Sequence, residues 1–313
     1  NFLKNQPQPS RDYIGYGAER PNPQWPGNAN VAINFVINYE EGAEYGLLEG
    51  DDHSEASLSD IAAAPYRQAE RFLNIESLYE YGSRVGFWRT LKKFSERELP
   101  FTVNAVGRAL ELNPEAAHRI GIAVSAGIAD VQSHGWRWID YAKIPESIEQ
   151  EHISLCVDTI NRMTGARPLG WYTGAPSINT RRLVVEEGGF LYDSDAYNDD
   201  LPYWTTDFGR QHLIIPYGLD TNDSRCARNQ GFDHTDDFFV YMRDCFDTLY
   251  EEGEEGQPGM MNVGLHCRMI GKPGRIAGLT KFLDYVMEHD KVWIARRNEI
   301  AKHWISVHPF INS

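Results

Sequence analysis

Short apolar runs that end in polar residues alternate with helix-like stretches along the whole chain, and this alternation restricts the fold more than any other feature. The clearest run is VAINFVINYEEG, Val31 to Gly42, apolar and β-branched before it breaks into acids and glycine. A parallel strand buried on both faces reads this way, and its polar end marks a functional mouth. LPFTVNAVG, IADVQSHG, RPLGWYTG, FLYDSDAY, LIIPYGLD and MMNVGLHC follow the same pattern. Between them, helical spacing predicts helices over 84–94, over NPEAAHRIGIAVSAG with its Asn-Pro start, and from Pro145 to Gly165 with glycine at the end. Further helices are expected around Thr180 to Glu187 and in AGLTKFLDYVMEHD. Strands alternating with helices predict an α/β fold with mostly parallel strands, closed or nearly closed into a deformed (β/α) barrel.

The 313 residues accommodate one such domain with insertions. The opening, residues 1–29, is rich in Pro, Asn and Gly and reads as an arm, and 30–313 read as the barrel domain. The acidic segment Glu44 to Ala64 reads as a long excursion beside the site. A net charge of -15 with no basic block disfavours a nucleic-acid partner. No run is long and apolar enough for a membrane span and no signal pattern opens the chain, so a soluble, cytoplasmic protein is expected. Cys156, Cys226, Cys245 and Cys267 form no CxxC pair, so neither a zinc knuckle nor a disulfide framework is expected.

In parallel α/β folds the strand ends converge on one mouth, which makes the polar residues there the site candidates. They are Glu40 and Glu41, His134, Arg167, Asp193 and Asp195, and His266. A partly desolvated carboxyl from the Glu40–Glu41 pair suits a general base toward water. His134 and His266 each follow an apolar run, as proton donors or ligand contacts would. Arg167 could pair with a carboxylate, and Asp193 or Asp195 could orient it. Trp138, Trp171 and Tyr172, with Trp136, offer walls for a flat polar ring. The sequence contains no G-x-S-x-G elbow, Walker loop, H-E-x-x-H or dinucleotide fingerprint, which disfavours serine hydrolase, NTPase, zincin and dehydrogenase chemistry.

Taken in order, NYEEG, SHGWRW, RPLGWY, YDSDAY and NVGLH resemble the five motifs of the polysaccharide-deacetylase superfamily over roughly residues 30 to 300. The family's first motif carries two aspartates, a catalytic base and a metal ligand, at positions that resemble Glu40 and Glu41. Its second motif is His-x-x-x-His, and the corresponding pair here is His134 and Trp138. An indole has no ring lone pair to give a metal. That change, with RDYIGYGAERPNPQWPG near the N-terminus, is similar to the metal-independent allantoinases of the superfamily.

The resemblance implies hydrolysis of allantoin to allantoate without metal or other cofactor, in the cytoplasm, by a homo-oligomer, such as a tetramer. It also implies Glu40 or Glu41 as base, His266 as acid or oxyanion partner, Arg167 with Asp193 or Asp195 holding charges in place, and His134 on the substrate. Two alternatives stand beside this: a metal-dependent deacetylase or cyclic imidase using Glu41, His134 and His53 or His266, and an inactive barrel that serves as a binding protein.

Overall fold

The computed structural model describes residues 8–229 and 231–311. The first seven residues of the expected arm, residue 230, and the last two of the expected domain lie outside the described residues.

The central strand is β1 (Val31–Tyr39), buried along its whole length. It lies parallel to β10 (Gly259–His266) on one side and to β4 (Phe101–Ala105) on the other. A short strand, β11 (Val292–Ile294), pairs with the beginning of β1. From β4 the sheet continues through β5 (Ala129–Ser133), β6 (Gly170–Trp171), β7 (Tyr192–Asp193) and β9 (His212–Ile214) to β8 (Tyr203–Thr205). Every pairing in this sheet is parallel except that of β8 with β9. Among the described residues no ladder joins β9 to β10. Instead the Asn222–Gly264 bridge and the Met260 N–H bond to the Asp200 carbonyl span the gap. The barrel is deformed in this sense, as the sequence leads one to expect.

Helices cover the outer face. They are α1 (Leu73–Tyr81), α2 (Phe87–Ser95), α3 (Gly107–Leu112), α4 (Pro114–Ser125), α5 (Glu146–Thr164), α6 (Thr180–Glu187), α7 (Thr235–Glu254), α8 (Pro273–Met287) and α9 (Arg297–Val307). The Asn113 side chain caps α4 by accepting from Ala116 N–H, and left-handed Gly165 ends α5, both as the sequence predicts. The helix expected over 84–94 begins with a π turn, Gly82–Gly86, that runs into α2. The excursion after β1 carries a small hairpin, β2 (His53–Ser54) with β3 (Arg67–Gln68). Arg137 fastens it through the carbonyls of Ala43 and Glu44 and the Asp51 carboxyl. The described part of the arm packs down through Trp25, whose indole N–H donates to the Gly259 carbonyl.

Strand alternation sorts β1 into two faces. Ile33, Phe35, Ile37 and Tyr39 join the apolar layer under the helices. Asn34, Val36 and Asn38 point to the barrel interior, which is largely polar: Asn34 bonds Thr102, Asn38 bonds Tyr217, and Asn104 bonds Asn38. At the floor lies Arg297, fully buried, donating to Ser194, Asn34, Asn262 and the carbonyls of Ile215 and Pro216.

Candidate active site

The same alternation separates the two adjacent glutamates. Glu40 continues the interior series of Asn34, Val36 and Asn38 and lines a cavity of about 580 Å³ at the C-terminal mouth. Glu41 takes the opposite phase and points into the helical layer against Gly82, where a Cβ on that glycine would sit 2.3 Å from Glu41 Oε1. Gly86, at the other end of the π turn, lies against the Cys267 backbone, where a Cβ would meet the carbonyl oxygen at 1.9 Å. The two small residues let this turn close on the segment after β10, and π turns often serve such sites.

Glu40 is fully buried and its two oxygens are divided between different partners. Oε1 lies 3.1 Å from His134 Nε2 and 3.3 Å from His266 Nε2. Oε2 lies 2.8 Å from the Arg268 guanidinium, which also reaches Glu41 Oε1 at 3.5 Å. Burial alone would raise the Glu40 carboxyl, but the charges of His266 and Arg268 outweigh it and hold Glu40 well below the usual carboxylate range. Glu41, buried as deeply, is raised by burial against the pull of Arg268.

Each imidazole is oriented from behind. His134 Nδ1–H donates to the Tyr172 carbonyl at 2.7 Å, which turns Nε2 toward Glu40. His266 Nδ1–H donates to Asp223 Oδ1 at 2.6 Å, and Asp223 Oδ2 accepts from the backbone N–H groups of His266 and Ile270. Burial opposes a charge on His266, yet the carboxylates of Glu40 and Asp223 push it up to about 10, so it is an imidazolium at neutral pH. The site thus presents an ionised carboxylate and a protonated imidazole side by side, a base and an acid poised together.

The cavity wall is aromatic on one side. The ring of Tyr172 stacks on His134 at 5.2 Å and 5°, and on Tyr217 at 4.2 Å, while its hydroxyl meets Tyr197. Trp138 and Ile139 also line the cavity, as do Tyr45 and His53 of the excursion, which was expected beside the site, and Tyr66 just beyond it. Ser224 lines the same cavity with a buried hydroxyl that has no protein partner.

Of the residues expected at the site, Glu40, His134, His266, Trp138 and Tyr172 line the cavity. Five others are placed elsewhere, Glu41 against Gly82 as described above and four more. Arg167 is partly exposed, ion-paired with Glu187 at 2.5 Å and over the Phe190 ring, so it does not pair with Asp193 or Asp195. The reason is positional: it opens its apolar run, and the start of a parallel strand faces away from the catalytic mouth. Trp171, adjacent to Tyr172, points the other way and packs with Ile153, Val157, Leu183, Val184 and Phe190. Asp193 is held by Arg181 and His212 and, although burial opposes it, these charges bring it down to about 2. Asp195 is half-buried beneath the loop after β6, accepts from Thr173 and Gly174 N–H, and is raised to about 7 by desolvation and the nearby Asp193. It shapes the wall from behind. Trp136 also lies outside the cavity lining. Sequence reasoning missed Asp223, Arg268 and Ser224; Arg268 follows His266 by two residues at a strand end and could have been found by position.

The donor set does not suit a divalent ion. Glu40 already carries the Arg268 charge on one oxygen and two imidazoles on the other, and Trp138 offers only an N–H. His53 pairs with Asp52 between the rings of Tyr45 and Tyr66. Among the described residues no three His, Cys, Asp or Glu side chains surround a point that could hold a metal.

The chain is similar to several known proteins. The signature of the polysaccharide deacetylase family matches residues 74–187. A Schizosaccharomyces pombe protein named "Putative polysaccharide deacetylase" is 43% identical over 96% of this chain and 98% of its own length. Two solved structures cover 96% of this chain and 99% of their own: Puue allantoinase, 51% identical with a TM-score of 0.92, and a probable polysaccharide deacetylase from Pseudomonas aeruginosa PAO1, 52% identical with a TM-score of 0.91. The chain has a mostly parallel α/β fold and belongs to the polysaccharide deacetylase family of hydrolases.

Proposed function

We propose that this protein opens the hydantoin ring of allantoin to give allantoate, using its own side chains and no metal. The observation that carries the reading is the Glu40 carboxylate, held between two imidazoles and a guanidinium at the base of an aromatic-walled cavity. The 51% identity to Puue allantoinase supports it.

Hydrolysis of a cyclic amide needs a proton taken from water, charge stabilised on the carbonyl oxygen, and a proton given to the departing nitrogen. Glu40 Oε1 faces the cavity and takes the proton from water as it attacks the ring carbonyl. His266, charged between Glu40 and Asp223, gives its proton to the leaving ring nitrogen. His134 Nε2 is placed to hydrogen-bond the reacting group, and Tyr172 and Trp138 enclose the flat ring. Glu41 does not face the cavity, which leaves the role of base to Glu40.

No helix among the described residues is long and apolar enough to cross a membrane. A cytoplasmic homo-oligomer is part of the same proposal, and light scattering of the purified chain reads its mass directly.

The test is to strip the protein with a strong chelator, verify metal content by elemental analysis, and quantify allantoate formed from allantoin. Full turnover is expected. Turnover that returns only with zinc or another divalent ion refutes the metal-free mechanism. Inactivity in both states, with acetate released from acetylated chitooligosaccharides, replaces the reading with deacetylation, the activity named for the Pseudomonas aeruginosa structure.

A further inference from the structure

We propose that Arg268 is a positioning residue for hydrolysis: its guanidinium clamps Glu40 Oε2 away from the cavity so that Oε1 alone is presented to His134, His266 and the attacking water. The inference rests on the proposed reaction at this site, and it assigns a role to a side chain that does not line the cavity.

The clamp is built from several directions. Arg268 is 1% exposed. Its backbone N–H donates to Glu41 Oε1 at 3.2 Å and its Nε–H to the Leu58 carbonyl at 2.9 Å, which fixes the guanidinium plane. The Tyr79 ring lies beneath it at 4.0 Å and Trp138 beside it at 5.3 Å. These aromatic faces favour a cation and exclude water. One guanidinium nitrogen reaches both glutamates, at 2.8 Å and 3.5 Å. Two adjacent buried acids would otherwise repel each other and turn toward whatever solvent they could find. With Oε2 ion-paired to Arg268 at 2.8 Å, though not hydrogen-bonded, Oε1 is the oxygen turned to the two histidines. The ion pair runs through Nη1, while Nη2 makes no hydrogen bond, so the Nε–H bond to Leu58, which a lysine could not make, is what fixes where the charge sits.

The clamp also explains Trp138. An indole beside the guanidinium completes the apolar side of the cation pocket, and its cavity-facing edge serves as wall.

The experiment compares Arg268→Lys, Arg268→Met and the double variant Arg268→Met/Glu41→Gln, in which one acid leaves together with the cation so that folding survives. With allantoin as substrate, Arg268→Lys is expected to lose 10- to 100-fold in kcat with KM within threefold. The double variant should lose 1,000-fold or more, and added guanidinium ion should return part of it. In parallel, the 15N resonances of the His134 and His266 rings are followed without substrate. They should shift in the double variant and hold nearly constant in Arg268→Lys. Unchanged ring resonances in the double variant, or a loss confined to KM, overturn the clamp. If the wild type proves inert toward allantoin, the reading of the substrate fails, while the ring resonances still decide the clamp.

Discussion

Asp223→Asn is the most informative single change, because Asp223 touches the proposed acid but is not among the cavity-lining residues. In the wild type two carboxylates lift His266 from an ordinary 6.5 to about 10 against the opposing effect of burial. Removing one of the two charges should bring the imidazole down by about 1–2 pH units, roughly 1.4–3 kcal/mol of lost bias toward the protonated ring. The new amide must also place its NH2 either at the Oδ1 position, losing the bond from His266 Nδ1–H, or at the Oδ2 position, losing both backbone bonds from His266 and Ile270, so at least one of the three bonds is lost. That adds a stability cost of about 1–3 kcal/mol. The assay is kcat/KM for allantoin from pH 6 to 10.5. The wild type should decline only as His266 loses its proton near 10, whereas the variant should decline about 1–2 units earlier, with turnover lowered several-fold above about pH 9 while the ring is still mostly protonated at pH 7. An alkaline limb that stays in place, with turnover unchanged, refutes the assignment of His266 as the acid.

Further outcomes follow from the same geometry. Glu40→Gln should abolish turnover in the folded protein and, because it takes a counter-charge from the buried Arg268 and His266, should also cost about 3–5 kcal/mol of stability in chemical denaturation; residual activity above about 1% would pass the role to another group. Arg167→Ala, at a partly exposed pair with Glu187, should alter kcat/KM less than twofold and stability by about 1 kcal/mol or less, and a large loss of turnover would return it to the site. Gly82→Ala places a methyl against Glu41 and should cost about 1–3 kcal/mol in chemical denaturation together with turnover, because Glu41 shares Arg268 with Glu40. For stability against pH, His266 has a raised folded value, so its contribution is fully present below the unfolded value of 6.5 and is lost as pH rises through about 10. The wild-type melting temperature should therefore fall more steeply between pH 7 and 10 than that of His266→Gln, and parallel curves would contradict the charge assigned to this ring.

The strands were legible because burial on both faces leaves a plain signature, and the polar residues that end those runs are where Glu40, His134 and His266 stand. The alternation of β1, carried one step past its end, sets Glu40 on the cavity and Glu41 against Gly82, since neighbours in a strand face opposite ways. The same rule could have separated Trp171 from Tyr172. Arg167 misled because proximity to a motif does not say which end of the strand a residue occupies. Asp223 sits in a single 3-10 turn held by the Asn222 side chain, with neither helical nor alternating period to mark it, and its link to His266 spans 43 residues of sequence. Such a pairing is created by the bridge from Asn222 to β10 and has no local signature.

The order of synthesis adds a consequence of the central position of β1. The strand that delivers Glu40 leaves the ribosome well before β10 and β11, yet it pairs along eight registered positions with β10 and at its start with β11. Until those late strands emerge, one apolar edge of β1 is an unpaired template for other chains. Closure of the sheet, floor and catalytic mouth is therefore a single late event dominated by long-range contacts. Slow folding and a dependence on chaperones during production are the practical expectation.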